Sequence, residues 1–185
     1  MNSFLTPVEL AGIGLKSYGK NVLISRFARF YSPETISVGD HVRIDDFCII
    51  SGNVTIGSYI HISAYCAMYG RYGIEINSYS GISPRCTIFS ASDDFSGDFL
   101  IGPVFPEEYT NLRGGKVTIK QFVQIGAGSV IMPDLVIEEG VALGVMSFVK
   151  ESLQAWHIYA GNPLRMIKKR NQDLLTKFKE FHANR

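Results

Sequence analysis

Val117–Val149 reads VTIKQFVQIGAGSVIMPDLVIEEGVALGVMSFV, with an aliphatic residue at every sixth position: Ile119, Ile125, Ile131, Ile137, Leu143 and Val149. Two residues ahead of each sits a second apolar or small side chain: Val117, Val123, Ser129, Leu135, Val141 and Ser147. An amphipathic helix repeats near 3.6 residues, and hairpins place turns at strand-length intervals with no fixed phase of six. A strict six is the period of a parallel β-helix built from hexapeptides, three to a coil.

The same phase runs through the preceding sequence. Val38, Ile44, Ile50, Ile56, Ile62 and Met68 keep it, a two-residue insertion around Gly70–Gly73 breaks it, and Ile76, Ile82 and Ile88 resume it. From Val22 it is irregular, with Ile24 and Phe30 in the key position before Ser32-Pro33-Glu34 interrupts. Three hexads per coil then predict three interior columns of companion residues. One is large (Ile36, Val54, Ile74, Val117, Leu135), one mixed (Val42, Ile60, Ser80, Val123, Val141) and one small (Cys48, Cys66, Cys86, Ser129, Ser147). The cysteines are thereby predicted to be small fillers stacked one per coil, about 4.8 Å apart as neighbouring strands require.

Between Ile88 and Ile119 about 25 residues leave the pattern, beginning FSASDDFSGDF and carrying acids, aromatics, glycines and prolines without a period. A long loop on an otherwise economical scaffold points to function. At the start, Thr6-Pro7-Val8-Glu9 has the form of a capping box and predicts a short helix over about Pro7–Gly12. After Val149 the repeat frays and Ala160-Gly161-Asn162-Pro163 turns the chain. A final helix is expected from about Gln172, with Leu174, Leu175, Phe178 and Phe181 on one stripe covering the open end of the stack. The expected organisation is all-β: a β-helix catalytic domain over 1–170 with its loop at 89–116, and a helix over 171–185.

The 185 residues suit one domain, and a net charge of +1 leaves no electrostatic footprint for nucleic acid or a membrane surface. No apolar run approaches the ~18 residues of a membrane span, and the N-terminus lacks a leader pattern, so a cytoplasmic protein is expected. Three cysteines without metal-ligand spacing argue against a disulfide framework.

Hexads such as VQIGAG and VALGVM, the 25-residue loop and the ending IYAGNPLRMIKKR together resemble the hexapeptide-repeat acyltransferases. The resemblance covers nearly everything from residue 22. It implies a left-handed parallel β-helix, a homotrimer, and acetyl-CoA bound in the groove between neighbouring prisms, with no metal. The run FSASDDFSGDFLIGPVFPEEYTN, with IHISAYCAMYG before it and LGVMSFVKESLQAWHIYAGNP after it, is similar to sugar-nucleotide N-acetyltransferases of surface-polysaccharide pathways. Those it most resembles act on dTDP-4-amino-4,6-dideoxyglucose for O-antigen, which makes a nucleotide-linked amino sugar the expected acceptor.

By that resemblance Gly126, Ala127, Gly144 and Ala160 line the acetyl-CoA groove, and Arg165, Lys168 or Lys169 meets the cofactor's phosphates, which suit cationic side chains. For the acceptor, the loop supplies Asp94 as the leading candidate with Asp93 beside it, but no histidine. A neutral amine is already nucleophilic, so a carboxylate that positions it and later takes a proton suffices, which favours an amino sugar over a hydroxyl acceptor. His61, one residue before Ile62, points outward from its face and is the candidate base for the alternative of sugar O-acetylation. Asn77, Ser80 and Ser83, on the last coil before the loop, are candidate contacts to sugar or diphosphate. Two further alternatives are a zinc enzyme, which needs three converging histidines where the prism offers His41 and His61, and a non-catalytic β-helix used for assembly.

Overall fold

The computed structural model describes residues 3–184; Met1, Asn2 and Arg185, the extremes of the N-terminal reading and of the predicted final helix, lie outside them. After a short helix, α1 (Pro7–Ala11), the chain winds into a three-walled parallel β-helix and ends in a second helix, α2 (Leu174–Ala183). The six-residue phase translates directly into cross-strand partners. Ile36, Val54, Ile74, Val117 and Leu135 are successive partners on the first wall. Ile44, Ile62, Ile82, Ile125 and Leu143 are partners on the second. Ile50, Met68, Ile88, Ile131 and Val149 follow on the third. The excursion after Ile88 therefore leaves no gap: the coils on either side of it stack as neighbours.

All three companion columns point inward, every member at or below 4% exposure. A buried Ile or Val contributes roughly 1.5–3 kcal/mol, and the stack repeats that gain in each coil. The small column does more than fill space. Cys48 donates its S–H to the Ser63 carbonyl at 3.2 Å, Cys66 to Ser83 at 3.1 Å, and Cys86 to Gly126 at 3.2 Å. Ser129 repeats the pattern toward Gly144 at 3.3 Å. Small donors on this column satisfy carbonyls of the next coil, exposed where the chain turns a corner.

The corners require left-handed backbone, and much of it is adopted by non-glycine residues. His41, Tyr59, Tyr79, Phe122 and Trp156 have φ between 55° and 66°. Such φ values are costly for bulky side chains, and stacking along the corner offsets the cost. Ring centroids are 4.6 Å apart for His41–Tyr59, 5.1 Å for Tyr59–Tyr79 and 5.7 Å for Tyr79–Phe122. At Gly140 (φ 67°) a Cβ would lie 2.4 Å from the Trp156 ring, so the missing side chain is what lets the ladder reach its last rung.

This ladder decides where α2 goes. The sequence placed the helix over the open end of the stack; the structure instead lays it along the corner. Phe178 meets Tyr79 and Phe122 edge-on at 4.8 and 5.1 Å, and Phe181 meets Tyr59 at 5.6 Å. Aromatic faces spanning three coils offer α2 an apolar seat at that corner. Arg170 anchors the approach, donating to the Phe122, Gly140 and Val141 carbonyls at 2.7–3.3 Å. At the stack's end Arg165–Lys169 folds back antiparallel on His157–Ala160. At the other end α1, closed by the predicted Thr6–Glu9 box, buries Leu10. No helix among the described residues is long and apolar enough to cross a membrane.

Candidate active site

The excursion leaves the third wall after Phe89 and is zipped at its base. Ala91–Ser92 pairs antiparallel with Arg113–Gly114, which brings the outgoing and returning legs together. Just beyond this zip stand the two aspartates, and the structure gives them opposite surroundings.

Asp94 is 4% exposed and fully engaged. It accepts the Ser96 backbone N–H at 2.7 Å, the Asn111 side-chain amide, and the Arg113 guanidinium at 2.9 Å. The Ser96 backbone N–H foremost, then the Ser96 side chain, Asn111 and the Arg113 charge, hold its carboxyl down to about 2. It ties the outgoing leg to the returning one. Asp93 points the other way. Its Oδ1 accepts the Gly102 N–H at 3.3 Å, and its side chain lines both of the large cavities beside the loop.

Each cavity has a volume of about 620 Å³. The first is walled by Arg71, Tyr72, Phe105, Thr110 and Asn111 as well as Asp93. The second is floored by Met132, Pro133 and Phe148, with Phe95, Arg113 and Lys150 at its margin. A smaller cavity of about 160 Å³ shares Phe148 and Lys150 with the second and reaches Asn162, Pro163 and Leu164. A track thus runs from Asp93 along the third wall to the AGNP turn. Two reactants laid in the two large cavities would meet at Asp93.

The remaining sequence-predicted residues fall elsewhere on the chain. Ser80 cannot touch a substrate: it is 4% exposed inside the prism, donating to the Lys120 carbonyl at 2.9 Å and accepting from the Val123 N–H. Its place in an interior column already required this, and its candidacy as a contact to sugar or diphosphate is corrected. Asn77 and Ser83 lie at other corners, Ser83 accepting from the Gln124 amide at 3.2 Å, and neither lines these cavities. His61 does face outward as expected, but on the second wall, where Asp45 holds its Nε2 at 2.7 Å. His41 is a rung of the aromatic corner.

Gly126, Gly144 and Ala160 stack at one corner in close contact. A Cβ on Gly126 would lie 2.6 Å from the Gly144 backbone, and one on Gly144 would lie 2.8 Å from the Ala160 Cβ. Packing alone accounts for both glycines, with Ala127 beside them. Arg165, Lys168 and Lys169 are exposed on the final strand. Among the described residues no group of three or more His, Cys, Asp or Glu could hold a metal ion. Arg71, Tyr72, Asn111, Arg113 and Lys150 also line these cavities, and none of them stands out in the sequence as a site residue. The one signal for any of them was the broken phase at Gly70–Gly73.

No protein-family model matches the sequence. A dTDP-4-amino-4,6-dideoxy-D-glucose acyltransferase of Escherichia coli is 42% identical over 176 residues, 94% of this chain and 92% of that protein. The chain belongs to the hexapeptide-repeat acyltransferases. A single-residue variant of AntD, an N-acyltransferase from Bacillus cereus, solved with dTDP-4-amino-4,6-dideoxyglucose and coenzyme A, matches this acyltransferase with TM-score 0.97 and 53% identity over all of both chains. AntD in complex with dTDP and 3-hydroxybutyryl-CoA matches with TM-score 0.97 and 54% identity, covering 100% of this chain and 98% of that one.

Proposed function

We propose that this acyltransferase moves an acetyl group from acetyl-CoA to the amine of a dTDP-4-amino-4,6-dideoxy sugar, and that Asp93 holds that amine. The observation that carries the reading is the single carboxylate shared by two cavities, in a loop without histidine. The Gly102 N–H occupies one Asp93 oxygen, and the other remains for the acceptor. The amine lone pair attacks the thioester carbonyl, the new C–N bond forms, and the C–S bond breaks as coenzyme A leaves. The amine's surplus proton passes to Asp93 and from there to solvent or the departing thiolate. Holding nucleophile and thioester in contact supplies much of the acceleration.

One likeness supports the acceptor, and another supports the choice of Asp93 over its neighbour. The E. coli relative is named for this acceptor, and AntD was solved with it. AntD has also been altered at a serine and at an aspartate ten positions further on. Ser83 and Asp93 keep that spacing here, whereas Pro84 stands ten before Asp94. The donor lies along the track past Phe148 and Lys150 toward Arg165 and Lys168, beside the Gly126–Gly144–Ala160 corner. The working unit is a cytoplasmic homotrimer serving O-antigen or another surface polysaccharide. A stacked exposed column, Phe27–Phe47–Tyr65 at 5.6 and 5.0 Å, supports burial against another copy.

The test is release of coenzyme A and mass spectrometry of product, with dTDP-4-amino-4,6-dideoxyglucose beside its 4-hydroxyl counterpart, and acetyl-CoA beside 3-hydroxybutyryl-CoA. Amide formation from acetyl-CoA is expected. Preference for the hydroxyl acceptor would overturn the N-acyl reading and return His61 to consideration as a base.

A further inference from the structure

One break in the repeat is not explained by the prism. On the third-to-first wall strand, Gly52 pairs with Gly70 and Val54 with Ile74, so the later coil is two residues longer at one corner. The glycines there make room: a Cβ on Gly70 would lie 2.7 Å from the Asn53 carbonyl oxygen, and Gly73 has φ 104°. The extra length pushes Arg71 and Tyr72 outward. Tyr72 is locked in place, its N–H donating to the Ser90 hydroxyl at 2.9 Å and its ring abutting Gly114, where a Cβ would come within 2.7 Å. Ser90 and Gly114 lie on the two legs of the loop.

Propping the loop would account for Tyr72 but not for Arg71. The contact of Arg71 with Glu107 is long at 3.5 Å, and the two side chains are 64% and 94% exposed. A pair that exposed adds little stability. Yet Arg71 forms part of the first cavity's wall, with Tyr72 and Phe105 as aromatic surfaces, Thr110 and Asn111 as polar groups, and Glu107 and Asp93 as acids. Glu107 can swing into water and release the guanidinium. The cavity then offers a cation, two aromatic faces and one fixed carboxylate.

We propose that the Arg71–Tyr72 insertion builds the subsite for the nucleoside diphosphate half of the acceptor. Arg71 pairs with the diphosphate, whose oxygens match the guanidinium fork. Tyr72 and Phe105 flank the base, and the sugar amine reaches Asp93. This rests on the acceptor reading above. Coenzyme A also carries a diphosphate, but the second cavity alone continues past Phe148 and Lys150 to Asn162 and Pro163, the track given to the donor, which leaves the first cavity to the amine-bearing substrate.

The test is calorimetric titration of the full chain with dTDP and, separately, with coenzyme A. It is made on wild type, Arg71→Ala and Arg71→Lys, with circular dichroism confirming the fold. Loss of a charged hydrogen-bond partner predicts about 10- to 100-fold weaker dTDP binding in Arg71→Ala. Arg71→Lys is expected to fall between, and coenzyme A affinity to stay within about twofold. In turnover, KM for the amino-sugar nucleotide rises with Arg71→Ala while kcat holds. Unchanged dTDP affinity, or weakened coenzyme A binding instead, would overturn the subsite while acetylation of the amine by wild type still stood. Wild type that bound no dTDP would overturn subsite and acceptor reading together.

Discussion

The prism and the loop are built on opposite principles. In the prism, each interior position is repeated coil after coil: the Cys48–Cys66–Cys86 column continues as Ser129 and Ser147, all buried. In the loop each contact occurs once. Asp94 has one Arg113 and one Asn111, and Asp93 has one Gly102. Redundancy makes the prism stable and tolerant, and leaves it chemically plain. Singular contacts make the loop fragile to substitution and able to distinguish two adjacent carboxylates.

The sharpest way to break this contrast is a pair of substitutions, one in each region. Asp93→Asn keeps the shape of the side chain and removes its charge. Loss of a proton-accepting carboxylate predicts a fall of about 10²- to 10³-fold in kcat/KM, with the unfolding midpoint unmoved. Ile119, 0% exposed where the chain re-enters the stack, should behave inversely. Ile119→Ala is expected to cost about 2–5 kcal/mol in denaturant titration while folded protein keeps most of its turnover. If Asp93→Asn unfolds the protein, or Ile119→Ala abolishes turnover without loss of stability, the division of labour fails.

The same contrast explains what the sequence could reveal. A period announces itself, so Ile88 and Ile131 fall in one column across the excursion by count alone, and they do pair. The small column was legible too, because five positions agreed. The loop offered no second copy to check against. The sequence favoured Asp94 over Asp93 as the working carboxylate, since Asn111 and Arg113, which tie Asp94 up, come from the far leg. Ser80 was misplaced although the column argument already put it inside. The α2 seat depended on rings at His41, Tyr59, Tyr79, Phe122 and Trp156, which occupy corner positions that the hexad count does not weigh.

A smaller effect probes the tie between the loop's legs. Asp94 titrates near 2 when folded, below its ordinary 3.8. A depressed carboxyl contributes its stabilisation in full above the ordinary value and loses it as pH falls from about 4 toward 2. Pepsin should therefore leave the loop intact at pH 4 and cut near exposed Phe95, Phe99 or Leu100 as pH drops, while the prism resists. In Arg113→Ala the cutting should already occur at pH 4, with KM raised severalfold at neutral pH. A loop equally resistant in both proteins would show that the legs are held by the Ala91–Ser92 zip alone.

The smallest effect is expected where repetition is greatest. Hydrogen bonding with Cys48 and Cys86 first, and burial after, raises the Cys66 thiol above its ordinary range, so it stays neutral and serves as a small donor. Cys66→Ser keeps a donor aimed at the Ser83 carbonyl, and Ser129 and Ser147 already fill the same column with hydroxyls at no more than 1% exposure. The change should cost no more than about 1 kcal/mol, the net value of one hydrogen bond. Cys66→Leu adds volume where five small residues line up, and overpacking predicts a loss of about 1–3 kcal/mol. Denaturant titration of the two variants separates a column chosen for size and hydrogen bonding from one chosen for sulfur. Only a Cys66→Ser cost as large as that of Cys66→Leu would mean that the thiol itself matters.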